Sequence, residues 1–468
     1  MSSGATGARA RTMPARRALP AVVRDTHRAL VEAGNWSGGE VVRIGLGVSR
    51  PYLVTDPAHV QEVLQDRAAT YPRGDDTALW RSVRKLVGDG ILAEGEVWAA
   101  SRRTLAPLFR PTRVEAMVDA MADSIGTAVD ALDAVADAGT TVDIGHELSR
   151  IVCASIMRLF FADRIPVDDA LRIMAAQETV VTAMAPRLLV PFLPWWFPVP
   201  GDRRFHAAVQ AIDDILLPVL RAALRDPGAG DDVLSTLARA RTADGRPLGE
   251  KQLRDDLVAM VGVSTETSYV ALTWLWPVLA GQPEVADRLY DEIDRVVAGG
   301  PVRAEHLPDL VYTRSVLDEL LRLYPAGWIL PRRAAADDVL GGVRIPKGAT
   351  VILSPYVTHR MPRWWGETAE SFDPDRFAPG RAGADGRHRY AYYPFGAGMH
   401  RCLGEHLFTL EAVLIVATLL SRFRFTLADP RVPDPRVATS LRPARAVRLT
   451  VRRVSPSTRR PEPARGVR

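Results

Sequence analysis

Phe395-Gly396-Ala397-Gly398-Met399-His400-Arg401-Cys402-Leu403-Gly404 is the stretch that decides this fold, and it leads into an apolar helical run from Leu407 to Leu420. A cysteine there sits on a glycine-punctuated loop at the start of a helix. The unpaired N–H groups and the positive end of that helix favour its thiolate form. The glycines let the backbone approach something large and flat, and the thiolate is left as a ligand for a soft or intermediate metal. The second cysteine behaves differently. Cys153 lies in Ile151-Val152-Cys153-Ala154 and reads as a small buried side chain.

A chain of 468 residues with 47% hydrophobic content has room for a sizeable core. Two cysteines cannot form a disulfide framework, so a reducing cytoplasm is the expected compartment. The net charge of +5 suggests nucleic-acid binding until the arginines are placed. Residues 452–468 carry +5 and residues 1–18 carry +4, leaving a body of net charge −4. Both ends are rich in Arg, Pro and Ser and read as disordered, solvated tails, so no nucleic-acid partner is expected. A membrane-spanning helix needs roughly 20 apolar residues. The most apolar stretch, Leu188 to Pro200, is shorter and holds four prolines, so no integral membrane segment is expected. There is no internal repeat and no linker between residues 19 and 451, which reads as one domain.

Alternation around Val41, Ile44, Leu46 and Leu53 predicts a β-hairpin over residues 40–54. Asp56-Pro57 opens a short helix to about Asp66. Periodicity is helical from about residue 96 to 295, with breaks at 186–201, 226–231 and 243–249. Strand signals return near 339–354 and at 440–453. The chain is therefore mainly α with small β-sheets.

The pattern Phe-x-x-Gly-x-(Arg or His)-x-Cys-x-Gly around Cys402 resembles the haem-thiolate loop of the cytochrome P-450 monooxygenases. Further motifs follow in the order which that family requires. Trp98-x-x-x-Arg102 places two side chains on one helical face, preceded by Gly88-Asp89-Gly90-Ile91-Leu92. Glu319-x-x-Arg322 stands upstream of Phe372-Asp373-Pro374-Asp375-Arg376-Phe377. The resemblance implies a single triangular helical domain over residues 19–451, with haem b between a central helix and the cysteine loop. It makes Cys402 the iron ligand beneath Phe395. Trp98, Arg102, Arg332 and His400 become partners of the haem carboxylates. Arg333 competes with Arg332 for that place, and the charge state of His400 is open. Glu319, Arg322 and Arg376 become a buried charge network that locks the loop.

Asp255 to Ser268 resembles the oxygen-activating helix, in which an acid–alcohol pair delivers protons. Glu266 and Thr267 match the pair. The usual Ala-Gly before it is Val263-Ser264 here, so that either Ser264 or Gly262 must supply the slack that admits oxygen and water.

The resemblance implies insertion of one oxygen atom from O2 into an apolar small molecule, terpenoid or fatty-acid-like, as in natural-product biosynthesis. The chain has no flavin, iron–sulfur or dinucleotide motif, so an external ferredoxin and its reductase are the expected electron donors. By position, Val83, Val87, Val263, Trp328, Ile329 and Leu330 are expected to line the substrate side of a monomeric enzyme. The Leu188–Pro200 stretch, with Trp195, Trp196 and Phe197, reads equally as a mobile access region or a packed loop. Two alternatives remain. One is a haem-thiolate isomerase, dehydratase or peroxygenase that needs no redox partner; the other is a non-catalytic haem or ligand carrier.

Overall fold

The computed structural model describes residues 7–454 apart from 47–49, 75–83, 85–87, 190–192, 194–195, 227, 229, 243–244, 382–385 and 437. At the N-terminal end, backbone pairing outweighs composition. β1 (Arg11–Met13) lies parallel to β2 (Val42–Ile44), which pairs antiparallel with β3 (Tyr52–Val54). Arg11 donates to Glu40 at 3.0 Å, and its guanidinium lies 4.2 Å from the Trp36 ring. α1 (Ala15–Arg24) follows, with Ala18 buried. Residues 7–18 are thus part of the fold and not the solvated tail that their arginines suggest. A strand needs only a free neighbouring edge, and its one arginine, Arg11, meets both an acid and a ring.

The hairpin expected at 40–54 is β2–β3. Asp56 accepts from the Ala58 N–H at 2.9 Å and so caps α2 (Pro57–Gln61), which continues as a wider turn through Glu62–Asp66. α3 (Gly95–Leu105) carries Trp98 and Arg102. Beyond it the chain is largely helical: α4 (Val118–Val129) packs on α5 (Ile144–Phe161), α6 (Val167–Leu189) packs on α5 and on α7 (Asp202–Arg225), and α5 and α7 pack on the central α8 (Glu250–Thr273). The short strand β4 (Thr141–Asp143) interrupts this run and was hidden by the helical periodicity around it. Cys153 on α5 is buried, and burial pushes its thiol up to about 12, as a purely structural cysteine requires.

Apolar residues fall on several sides of α8, as they do on core helices. Leu253, Leu257, Val261 and Leu272 are all buried. Two of its carboxylates are buried as well, and they reach sideways. Asp255 accepts from the Asp89 N–H at 2.9 Å; Asp256 accepts from the Ile91 N–H at 2.8 Å and from Ser101 Oγ at 3.0 Å. Only glycine permits this approach. A Cβ on Gly88 would lie 2.0 Å from Asp255 Cγ, and one on Gly90 would lie 2.4 Å from Asp256 Oδ1. The residues before α3 are therefore clasped to the first half of α8.

α9 (Val311–Leu323) carries the charge network. Glu319 and Arg322 are fully buried and joined by two hydrogen bonds of 2.7 Å. Arg322 also donates to the carbonyls of His359, Ala369 and Ser371, and Glu319 accepts from the Asp373 N–H at 2.8 Å. Arg376 stands 3.6 Å from Glu319 and donates to Thr368. One member escaped the sequence reading. His359 contacts the Arg322 carbonyl through Nδ1 at 3.1 Å, and its Nε2 accepts from the Tyr393 N–H at 3.0 Å. Both contacts together require the proton on Nδ1. The Tyr393 carbonyl in turn accepts from the Gly396 N–H at 3.0 Å, inside the cysteine loop.

β5 (Leu330–Arg333) follows, then the hairpin of β6 (Asp338–Leu340) and β7 (Val343–Ile345), then β8 (Thr350–Leu353). The main sheet runs β1-β2-β3-β8-β5. After the cysteine loop, α10 (Glu405–Arg422) passes through the core, and β9 (Phe423–Leu427) follows it. β10 (Pro435–Arg436) pairs with β11 (Arg442–Pro443), and β12 (Arg448–Arg453) lies between β4 and β9. Arg452 and Arg453, assigned by sequence to a tail, are ladder residues paired with Arg424 and Phe423. Residues 455–468 lie outside the described residues. Among the described residues no helix is long and apolar enough to cross a membrane.

Glu319→Gln leaves the Arg322 charge buried and unpaired, so unfolding in denaturant should show a loss of about 3–5 kcal/mol. His359 gives a pH signature. Burial holds its pKa well below the ordinary 6.5, so below pH 6.5 the unfolded chain takes up a proton that the folded one refuses. Its share of stability is intact above pH 6.5 and falls by up to about 1.4 kcal/mol per pH unit below it. Denaturant melts from pH 7 to 5 should therefore fall more steeply for the wild type than for His359→Asn.

Candidate active site

The cysteine loop is shaped by its own hydrogen bonds. The Cys402 N–H donates to the Phe395 carbonyl at 3.0 Å and the Arg401 N–H to Gly398 at 3.1 Å, while the Phe395 ring packs 5.7 Å from Phe408 on α10. Gly398 has φ +67, and a Cβ there would lie 1.8 Å from the Leu64 carbonyl oxygen. The loop thus rests directly on the turn after α2, a contact no other residue permits.

Above Cys402 opens a cavity of about 410 Å³, within the usual range for small-molecule sites. The α8 residues Val263, Ser264, Thr267 and Ser268 line it, with Ile329 and Leu330 from the β5 segment. Cys402 opens onto the cavity, and desolvation by the protein packed around it pushes its thiol up, against the pull of the Gly404 N–H, Arg102 and Arg401; Glu405, at the start of α10, adds to the rise. The Gly404 N–H at the start of α10 pulls toward the thiolate, as expected of a helix N-terminus, but does not outweigh that desolvation. A coordinated metal ion does, because a ligating thiol is deprotonated outright.

Cationic side chains gather along one wall. Arg102, Arg332 and His400 all line the cavity, as expected, and Arg73 joins them. Strand alternation decides between the two neighbouring arginines. Arg332 is buried in the cavity wall, whereas the Arg333 N–H donates to the Pro72 carbonyl and its side chain is absent from the lining. Arg102 donates to the Arg401 carbonyl at 2.6 Å. Burial and the nearby Arg73 lower Arg332 to about 10, so it stays charged at neutral pH. His400 lies 3.4 Å from Glu94 and 4.3 Å from the Trp98 ring. Burial lowers its pKa despite Glu94, which favours the neutral ring.

Trp98 Nε1 and His400 Nδ1 are buried without a hydrogen-bond partner. Orphaned polar atoms beside three arginines, opposite a cysteine, suit a flat apolar cofactor with carboxylates at one edge. The residues present fit haem.

Two expected site residues face elsewhere. Trp328 Nε1 donates to the Ala438 carbonyl at 3.1 Å and its ring packs 4.6 Å from His27, outside the cavity. Glu266 lies one residue from the cavity-lining Thr267, but the helical step of about 100° turns it out of the lining. There its Oε1 accepts from Thr439, Ser440 and Arg442, each at 2.9 Å. Ser264 faces the cavity, whereas Gly262 packs toward Gln177. Val83, Val87 and Trp195 lie outside the described residues. Trp196 is 82% exposed, which disfavours a packed loop there.

Three site residues escaped the sequence reading. Arg73 and Glu94 lie in no motif; the Arg73 N–H donates to Glu94 at 2.9 Å across 21 positions. Glu411 lines the cavity from α10, and its signal was available as a lone carboxylate in the apolar Leu407–Leu420 run.

The sequence profile of the cytochrome P450 family matches residues 24–451. The chain is 31% identical over 418 residues to pentalenene oxygenase of Streptomyces avermitilis, covering 88% of this chain and 91% of that protein. It is 33% identical over 395 residues to cyclooctat-9-en-7-ol 5-monooxygenase of Streptomyces melanosporofaciens, covering 82% of each. Among solved structures, the cytochrome P450DA heme domain superposes with a TM-score of 0.85 at 22% identity, covering 97% of this chain and all of that one.

Gly398→Ala should drive the cysteine loop off Leu64. Beyond the steric overlap, the left-handed backbone costs an alanine roughly 1–2 kcal/mol. The purified variant should show a lower haem-to-protein ratio and a lower melting temperature; unchanged values of both would refute the close contact.

Proposed function

This chain belongs to the cytochrome P450 family and is a P450 monooxygenase, and we propose that it inserts one oxygen atom of O2 into an apolar cyclic terpenoid, taking electrons from an external ferredoxin. The observation that carries the substrate reading is the cavity wall. Val263, Ile329, Leu330 and Ala259 present apolar surface to whatever sits over Cys402. The two relatives named above act, by name, on pentalenene and on cyclooctat-9-en-7-ol, and are terpenoid-oxidising enzymes. Apolar surface binds such a substrate by excluding water and does not discriminate one carbon skeleton from another by hydrogen bonds.

Members of this family bind haem through a cysteine thiolate. When bound, haem supplies oxygen activation, and the thiolate push favours O–O cleavage. In this reading Cys402 is the ligand, and Phe395 lies at the start of its loop. Arg102, Arg332, Arg73, His400 and the Trp98 N–H hold the carboxylate edge. The remaining work belongs to the distal wall. Thr267 Oγ1 donates to the Val263 carbonyl at 2.8 Å, which leaves its oxygen lone pairs as acceptors. With Ser264 beside it, Thr267 holds water and protons against the reacting oxygen and limits their wasteful escape. Glu266 has no part in this while it is bound to Arg442.

The absence of any second redox motif supports a separate electron donor. Arg103 is exposed on the segment that the Arg102–Arg401 bond ties to the cysteine loop, a cation suited to an acidic ferredoxin, while Arg401 is paired with Glu405. A cytoplasmic monomer completes the proposal.

A low- to high-spin shift is expected with cyclic terpenes and oxygenated terpenoids. No shift with these, and a clear one with fatty acids, would overturn the substrate class. Product formation should depend absolutely on reduced ferredoxin and O2; turnover without them would favour an isomerase or peroxygenase. Thr267→Ala should lower product formed per O2 consumed several-fold, with substrate binding retained in the spin-state titration.

A further inference from the structure

The hydroxyl groups along α8 are not alike. Thr265 and Thr267 donate to the carbonyls of Val261 and Val263, each at 2.8 Å, and Thr273 donates to that of Tyr269 at 2.7 Å. Such bonds commit the hydroxyl hydrogen to the helix itself. The Ser268 hydroxyl serves the Glu411 carboxyl. Ser264 differs from all of these. It is half-buried, it lines the cavity, and it forms no hydrogen bond with any of the described residues. This is also the position at which the chain departs from the Ala-Gly of the pattern it resembles.

The side chains around that hydroxyl on the substrate side, Val263, Ala259, Ile329 and Leu330, offer only carbon. The charged donors, Arg102 and Arg332 among them, stand on the wall formed by α3 and β5. Once a substrate has displaced water from the cavity, a hydroxyl covered by hydrocarbon is left unpaired, which is costly. Covered by an oxygen atom it is satisfied, and a site so built rejects the analogue that lacks the oxygen.

We propose that Ser264 is a specificity-determining residue whose hydroxyl holds an oxygen atom already present on the substrate, which is a cyclic terpenoid alcohol or ketone and not the parent hydrocarbon. The carbon skeleton lies against the apolar side chains, and the single polar contact fixes its orientation. This choice of substrate deepens the terpenoid reading above and rests on it. The substrate then comes from a reaction that has already installed oxygen, either a cyclisation ended by water or an earlier hydroxylation, and leaves this enzyme with a second oxygen function.

The test uses the full-length, haem-loaded protein and matched probes on one skeleton: fenchane, fenchol and fenchone, and cedrane with cedrol. Spin-state titration gives an apparent Kd for each. Ser264→Ala should lower the preference for alcohol or ketone over hydrocarbon about three- to ten-fold relative to the wild type, the range of one neutral hydrogen bond. Comparing two proteins on the same probes cancels the differences in probe solubility. A second measurement needs no variant: the infrared carbonyl band of fenchone bound to the wild type should lie below its position in a hydrocarbon solvent, and Ser264→Ala should move it back. An unchanged preference in Ser264→Ala would overturn the proposal, as would a wild-type band at the solvent position. A fall in product per O2 with every probe alike, and no change in preference, would also overturn it, because Ser264 would then handle water and protons alone. If no probe of either set shifts the spin state, the terpenoid reading beneath the proposal falls instead.

Discussion

An ion pair sealed from water, Glu319 with Arg322, is the constraint from which the rest of this site follows. Two charges buried together repay their desolvation only when every remaining donor and acceptor is also met. Here the guanidinium meets three carbonyls and the carboxylate meets a backbone N–H, so the chain at residue 359 and the segment 369–373 are both drawn to α9. His359 extends the set with one fixed tautomer and hands the constraint to Tyr393, at the threshold of the cysteine loop. The position of Cys402 is therefore decided some distance from the cavity, by groups that touch neither substrate nor cofactor.

The cavity has two walls of different character. Toward α3 and β5 it is basic and able to hold a carboxylate-bearing cofactor; toward α8 it is apolar, with a short line of hydroxyls. The two walls are held apart by backbone elements whose spacing comes from packing, so the side chains that meet across the cavity need not adjust to one another. This division keeps the apolar side chains that face the substrate, Val263 and Ile329 among them, apart from the arginine wall.

Much of this was legible in the residues themselves. Cys402, Gly398 and Gly404 lie within ten positions, and Glu319 with Arg322 on one helical turn, so local spacing carries their geometry. Arg332 against Arg333 was not decidable until the strand register was known, because alternate strand residues point to opposite faces. Glu266 and Trp328 matched by position yet face away; one rotation step on a helix and one turn of a loop separate lining from non-lining residues. Arg73 and Glu94 meet only through the fold. The arginine-rich ends were misread in part because composition reports solvation and is silent on whether a neighbouring strand edge is free. Glu411 was missed for the opposite reason, since an apolar run hid its single acid.

The clasp between Asp255–Asp256 and the glycines at 88 and 90 makes two distant stretches of chain one inherited unit. A chimera that takes its central helix from a relative while keeping its own residues 88–101 would set a foreign pair of side chains against glycines shaped for aspartates. Crossover points for recombining this enzyme with its relatives therefore do not fall freely between residues 101 and 255. The two segments must travel together, and a library built on that rule would keep more of its members folded than one cut by sequence position alone.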